Sequence, residues 1–133
     1  MKKSSRTLIA ALAGVGLIAV ATTAAAGLRW GYQVSVNDTS RYALGDLSAT
    51  RGTADGVQYI GCYHNSVNNG SCYATNAAGV SRSCSTSNAA HLTVIRSITP
   101  ESYVYFQWNT DGSCNYILVD NGSRFKPAAT SGI

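Results

Sequence analysis

An all-β domain, a small antiparallel sandwich or a partly open barrel closed by two disulfides, is the fold class that the sequence predicts. Three observations carry it. Apolar and polar residues alternate with period two in several short runs. Turn-forming clusters recur about every ten to twelve residues. Four cysteines, Cys62, Cys72, Cys84 and Cys114, follow an apolar leader.

The leader sets the limits of the domain. Met1-Lys2-Lys3-Ser4-Ser5-Arg6 is basic, Thr7 to Ala26 carries no charge, and Ala24-Ala25-Ala26 ends the stretch with small residues. This is the three-part layout of a secretory signal peptide of bacterial style, residues 1–26, cut after Ala26 or a neighbouring alanine. The stretch approaches the length of a membrane span, but its Ala/Gly/Thr content and small-residue exit favour cleavage over anchoring. No cysteine stands at the cut, which argues against a lipid anchor. Removing 26 residues from 133 leaves 107, the size of one domain. Residues 27–127 are expected to form that domain and 128–133 a loose tail. A membrane barrel of eight tilted strands needs more chain. Loss of Lys2, Lys3 and Arg6 leaves seven basic residues against six acidic ones. The basic balance thus belongs to the leader, and a nucleic-acid partner loses its support. No membrane role follows once the leader is gone. The expected location is periplasmic or extracellular.

The elements follow in order. Trp30, Tyr32, Val34 and Val36 alternate with polar or small residues, which predicts a half-buried strand ended by Asn37-Asp38-Thr39-Ser40. Residues 41–52 read as one weak strand, an edge candidate. Val57 to His64 is a strand of high β-propensity. Asn68-Asn69-Gly70 marks a hairpin loop over 65–71. Short strands over 72–76 and 80–85 flank Ala77-Ala78-Gly79. Residues 88–98 are ambiguous. Asn88 or Ser87 can cap a helix with Leu92, Ile95 and Ile98 on one face, while Thr93-Val94-Ile95 is β-branched. The balance favours a short helix.

Tyr103 to Asn109 and Cys114 to Asp120 flank Thr110-Asp111-Gly112-Ser113. A two-residue type I′ turn at Asp111-Gly112 would pair Trp108 with Asn115, Phe106 with Ile117 and Val104 with Val119 on one apolar face. The other face would pair Gln107 with Tyr116, Tyr105 with Leu118, Tyr103 with Asp120 and Asn109 with Cys114. A one-residue slip destroys this sorting, so the register is strongly specified. Asn121-Gly122-Ser123 is a turn, and Arg124 to Pro127 adds a short edge segment. The expected core is Val34, Val36, Ile60, Leu92, Ile95, Val104, Phe106, Trp108, Ile117 and Val119.

An even number of cysteines behind a signal peptide reads as two disulfides in an oxidising compartment. Cys72 and Cys84 are symmetric about Ala78, so a hairpin would place them opposite each other. The favoured pairing is Cys72–Cys84 with Cys62–Cys114. Cys62–Cys72, symmetric about Val67, competes with it. No close-spaced ligand pair suggests a metal, and Cys62 with His64 is only a partial zinc-type pair. No cofactor is implied.

Eight of the twelve aromatic residues are Tyr. Tyr103, Tyr105 and Tyr116 share the half-polar hairpin face with Gln107 and Asp120. Rings flanked by amide and carboxylate groups suit a sugar, which packs its C–H face on a ring and offers hydroxyls to polar groups. They also suit a protein partner. Plain sheet packing explains tyrosines equally well. His64 and His91 could serve acid–base chemistry only with a carboxylate partner, and no nucleophile or metalloprotease motif accompanies them. A two-carboxylate site would need two of Asp38, Asp46, Asp55, Glu101, Asp111 and Asp120 to converge. The 65–71 loop lacks the carboxylates that calcium wants. The sequons at Asn37, Asn69 and Asn121 matter only in a eukaryotic pathway. Three functions remain. The first is a non-enzymatic binding module for extracellular carbohydrate or protein. The second is a secreted inhibitor acting through stiffened loops. The third is a small hydrolase.

Overall fold

In the computed structural model, which describes residues 28–125, the strands form two antiparallel sheets. The leader and the 128–133 tail lie outside the described residues. The first sheet joins β1 (Ser35–Asn37), β2 (Tyr42–Asp46), β6 (Tyr103–Trp108) and β7 (Cys114–Asp120) in that order. The second joins β3 (Tyr59–His64), β4 (Gly70–Thr75) and β5 (Ser81–Thr86). Helix α1 (Leu47–Arg51) follows β2, and α2 (Ala89–Arg96) lies between β5 and β6. Ala43, Val104, Phe106 and Ile117 of the first sheet meet Ile60, Cys72, Ala74 and Cys84 of the second in one core. The sheets pack tightly at Gly45, where a Cβ would stand 3.2 Å from Ile60 Cγ2. Leu92 and Ile95 of α2 join the same core, as the helical spacing requires. Asn88 caps α2 by accepting from Ala90 N–H at 2.8 Å and His91 N–H at 3.3 Å.

Seven of the expected core residues are buried: Val34, Ile60, Leu92, Ile95, Val104, Phe106 and Ile117. Val36 and Trp108 are half-buried against this core, and Val119 is half-buried outside it. Four local readings need correction. The strand expected from Trp30 shrinks to Ser35–Asn37, because Trp30 and Tyr32 instead pack against Phe125, Trp30 edge-on and Tyr32 tilted. Tyr32 C=O accepts from Asp46 N–H at 2.8 Å outside any ladder. The 41–52 strand is β2 plus α1, and β2 is an inner strand rather than an edge. Asp46 stops it by accepting from Ser48 N–H and Ala49 N–H, a helix cap visible in Asp-x-Ser-Ala. Of the expected 124–127 edge segment, Arg124 and Phe125 instead belong to a 3-10 turn, Ser123–Phe125, that buries Phe125 to 3% exposure, and residues 126–127 lie outside the described residues.

The fourth correction concerns the last hairpin and decides the disulfides. Tyr103↔Asp120, Val104↔Val119, Tyr105↔Leu118, Phe106↔Ile117 and Gln107↔Tyr116 pair as expected. Trp108 then pairs with Cys114, not Asn115, through a bulge. The Asp111-Gly112 turn is not type I′, since only Gly112 has positive φ (84°). Asp111 Oδ1 accepts from Ser113 N–H at 2.9 Å and from its hydroxyl at 2.6 Å, which holds Asp111 in a three-residue loop. The two other tight hairpins share this plan. Asn65, Asn76 and Asn109 each donate N–H to the carbonyl four residues on, and Asn68, Gly79 and Gly112 each take positive φ. The bulge leaves Asn115 exposed beside Tyr116 and turns Cys114 inward. Cys114 therefore meets Cys84 rather than the tyrosine face.

The bonds are Cys62–Cys72 and Cys84–Cys114, correcting the favoured Cys72–Cys84 with Cys62–Cys114. Cys72 stands opposite both Cys62 on β3 and Cys84 on β5. Strand pairing alone thus permits either partner, and the inward turn of Cys114 takes Cys84 away. Cys62–Cys72 ties β3 to β4, and Cys84–Cys114 ties the two sheets together. A parallel bridge between Ser85 and Ser113 runs beside the second bond.

Candidate ligand-binding face

The outer face of the first sheet is a grid set by its register. Asn37, Tyr42, Gln107 and Tyr116 form one row across four strands. Ser35, Leu44, Tyr105 and Leu118 form the next, and Asp46, Tyr103 and Asp120 a third. Tyr105 stacks on Tyr42 with centroids 5.5 Å apart and meets Tyr116 edge-on at 6.1 Å. Such offset and edge contacts are the geometries aromatic quadrupoles favour. Gln107 Nε2 donates to Tyr105 Oη at 2.6 Å, and Asn115 Nδ2 reaches Gln107 Oε1 at 3.4 Å.

Four of the five expected site residues, Tyr103, Tyr105, Gln107 and Tyr116, line one open depression of about 450 Å³, with Leu118 as the fifth wall. Tyr116 is 47% exposed, whereas Tyr103 and Tyr105 are half-buried. Tyr103 is the most committed to packing. Its ring stacks on Phe125 at 5.1 Å and takes the edge of Tyr32 at 5.5 Å. Desolvation first, then the neighbouring Tyr32, Tyr105, Tyr42 and Asp120, push its phenol pKa above the ordinary value. Tyr103 is therefore a neutral hydroxyl at physiological pH.

Asp120 does not join the depression. Its Oδ2 takes Arg124 at 2.6 Å and its Oδ1 takes Gly122 N–H at 2.7 Å. These bonds, the Arg124 one foremost, lower its pKa. Arg124 in turn lies over the Trp30 ring at 4.3 Å. Leu118 and Tyr42 complete the face and were not singled out from sequence. Leu118 was legible as the partner of Tyr105. Tyr42 was hidden because 41–52 offered no register.

The remaining candidates are spread apart. Asp38 pairs with Arg82 at 2.6 Å, bridging the β1–β2 loop to β5. Asp55 serves its own turn, accepting from Gln58 Nε2 at 2.6 Å and from Val57 N–H and Gln58 N–H. The Gln58 side chain is the main cause that brings its pKa down to about 2. Asp111 is held low in the same way by Ser113. His91 Nδ1 lies 2.9 Å from Thr86 Oγ1, and His64 is exposed. Among the described residues, no group of three or more His, Cys, Asp or Glu is placed to hold a metal ion. The asparagine-rich loop is braced by Asn65 Oδ1, which accepts from Val67 N–H and Asn69 N–H.

Both disulfides fit an oxidising, extracellular-type environment. No helix among the described residues is long and apolar enough to cross a membrane. Comparison with known protein families, characterised proteins and solved structures returned no match.

Proposed function

We propose that this chain is a small secreted, non-enzymatic binding domain that holds an extracellular glycan on its tyrosine face. One observation carries the reading. Tyr105, Tyr116 and the Gln107 amide border one mostly apolar depression on a rigid sheet. A pyranose ring presents C–H groups to the phenol faces and Leu118, while its hydroxyls bond Gln107 and the phenol oxygens. Few polar groups in an apolar setting orient a ligand without charge. The signal peptide expected at residues 1–26 and the two disulfides support a location where such ligands occur.

A polysaccharide pull-down and glycan array of the oxidised domain test this. Wild type is expected to bind and Tyr116→Ala/Gln107→Ala to lose at least tenfold in affinity. Tyr116 is exposed and Gln107 is half-buried, so the variant keeps its core. Absence of glycan binding by the wild type overturns the reading.

A second reading, a loop-directed inhibitor, rests on the 65–69 loop. Cys62–Cys72 closes the strands that carry it, and Val67 at its tip is 69% exposed. Preorganised loops lose little entropy on binding. Protein binding that Val67→Asp abolishes and Tyr116→Ala spares would favour this reading.

A further inference from the structure

The four cysteines form a connected row that leads from the protein surface to the joint between the sheets. Cys62, Cys72 and Cys84 occupy directly opposite positions on β3, β4 and β5, so their side chains share one face. Cys62 is half-buried, Cys72 is 0% exposed and Cys84 1%. Cys84 is bonded onward to Cys114, the first residue of β7. Directly opposite residues carry Cβ atoms about 5 Å apart, a separation that a disulfide can close with small adjustment. Cys72 thus has two sulfur neighbours and is bonded to one.

We propose that Cys62 is a site of mixed-disulfide formation with small external thiols, and that its opening is relayed through Cys72 and Cys84 to Cys114. The thiolate attacks Cys62 Sγ, the more accessible sulfur of its bond, and Cys72 leaves as a thiolate. That charge is stranded in the hydrophobic core, where burial disfavours it. Cys72 Sγ attacks Cys84 Sγ, the Cys72–Cys84 bond forms and the Cys84–Cys114 bond breaks. Cys114 leaves and takes up the proton that the external thiol gave away. Two disulfides are present before and two after, so no oxidant or reductant is consumed. The consequence is structural. The covalent link between the sheets is exchanged for one within the second sheet. The relay stands on strand register and burial and is independent of the glycan reading.

Tryptic peptides report each outcome, because cleavage after Arg51, Arg82, Arg96 and Arg124 places Cys62 and Cys72 in 52–82, Cys84 in 83–96 and Cys114 in 97–124. The oxidised protein is treated with 2-mercaptoethanol under native conditions, free thiols are trapped with N-ethylmaleimide, and the digest is mapped. The expected product has 52–82 joined to 83–96 and the trap on Cys114. A further chymotryptic cut after Tyr63 then finds the mercaptoethanol adduct on Cys62. Trap on Cys72 with 83–96 still joined to 97–124 overturns the relay, as does failure of Cys62 to react. In Cys84→Ala/Cys114→Ala, the trap is expected on Cys72. If that variant does not fold, the wild-type map decides alone.

Discussion

The four-stranded sheet gives Val104, Phe106 and Ile117 to the core, whereas the three-stranded sheet gives Cys72, Ala74 and Cys84 beside Ile60. The first inner face is large and apolar. The second is mostly small, and at Gly70 it has no side chain at all. There a Cβ would stand 2.9 Å from Leu92 Cδ2 and from the Tyr63 carbonyl. Small side chains bury little area, so hydrophobic burial contributes less to that sheet. Covalent links and braced turns compensate. Both disulfides have an end in the three-stranded sheet, and two of the three Asn-led loops lie there. The contrast teaches that one short chain can stabilise one sheet by burial and the other by restricting the unfolded state.

Breaking each mechanism in turn tests the contrast. The largest effect is expected for Phe106→Ala, which removes the largest fully buried side chain of the first sheet and costs about 3–5 kcal/mol in denaturant unfolding. In the second sheet, Cys84→Ala/Cys114→Ala opens a link spanning 30 residues and is expected to cost about 3.6 kcal/mol by the chain-entropy relation. Cys62→Ala/Cys72→Ala opens one spanning 10 residues and is expected to cost about 2.7 kcal/mol. Equal losses from the two pairs would show that loop length is not what the bonds act through. Gly70→Ala, where the added methyl meets a backbone carbonyl, should cost about 1–3 kcal/mol. Tyr116→Ala, at an exposed face position, should stay within about 0.5 kcal/mol while weakening glycan binding.

The smallest effect is in pH. Asp55, Asp111 and Asp120 all have lowered pKa values in the folded protein. The unfolded chain therefore binds more protons in acid. Their contribution is complete above the unfolded carboxylate value of about 4 and fades as pH falls, for Asp55 through about 2. All three are on the surface, so the slope is shallow and salt reduces it. Thermal melts of Asp55→Asn between pH 5 and 2 should show a smaller loss than wild type. An unchanged slope would mean that the braced turns add nothing through charge.

The same contrast governs what was legible. The β6–β7 hairpin, with large residues on one face and tyrosines on the other, declared its register from Tyr103 to Gln107. The row of Gln107 and Tyr116 with Tyr105 and Leu118 followed from period two alone, and so did most of the candidate face. Asp120 was placed on that face correctly by parity, but Arg124, four residues on, draws its carboxylate away. The second sheet was legible through its turns, because asparagine and glycine carry their conformational preference locally.

Alternation, turn chemistry, helix caps and the even cysteine count are local or compositional properties. They determined by themselves that this is an all-β domain with two disulfides and one helix near residues 88–98. Which cysteines join was decided only by the tertiary structure. One bulged residue, Asn115, reverses the facing of Cys114, and period two turns a shift of one residue into a change of side. The burial of Phe125 and of Asp46 was likewise decided in three dimensions. Phe125 packs against Trp30, Tyr32 and Tyr103, all distant in sequence, and Asp46 N–H donates to the Tyr32 carbonyl at 2.8 Å. The 28–32 and 123–125 segments join where Trp30 N–H donates to Arg124 C=O at 2.8 Å. Contacts of that range leave no periodic trace in a sequence, because neither partner's neighbours encode them.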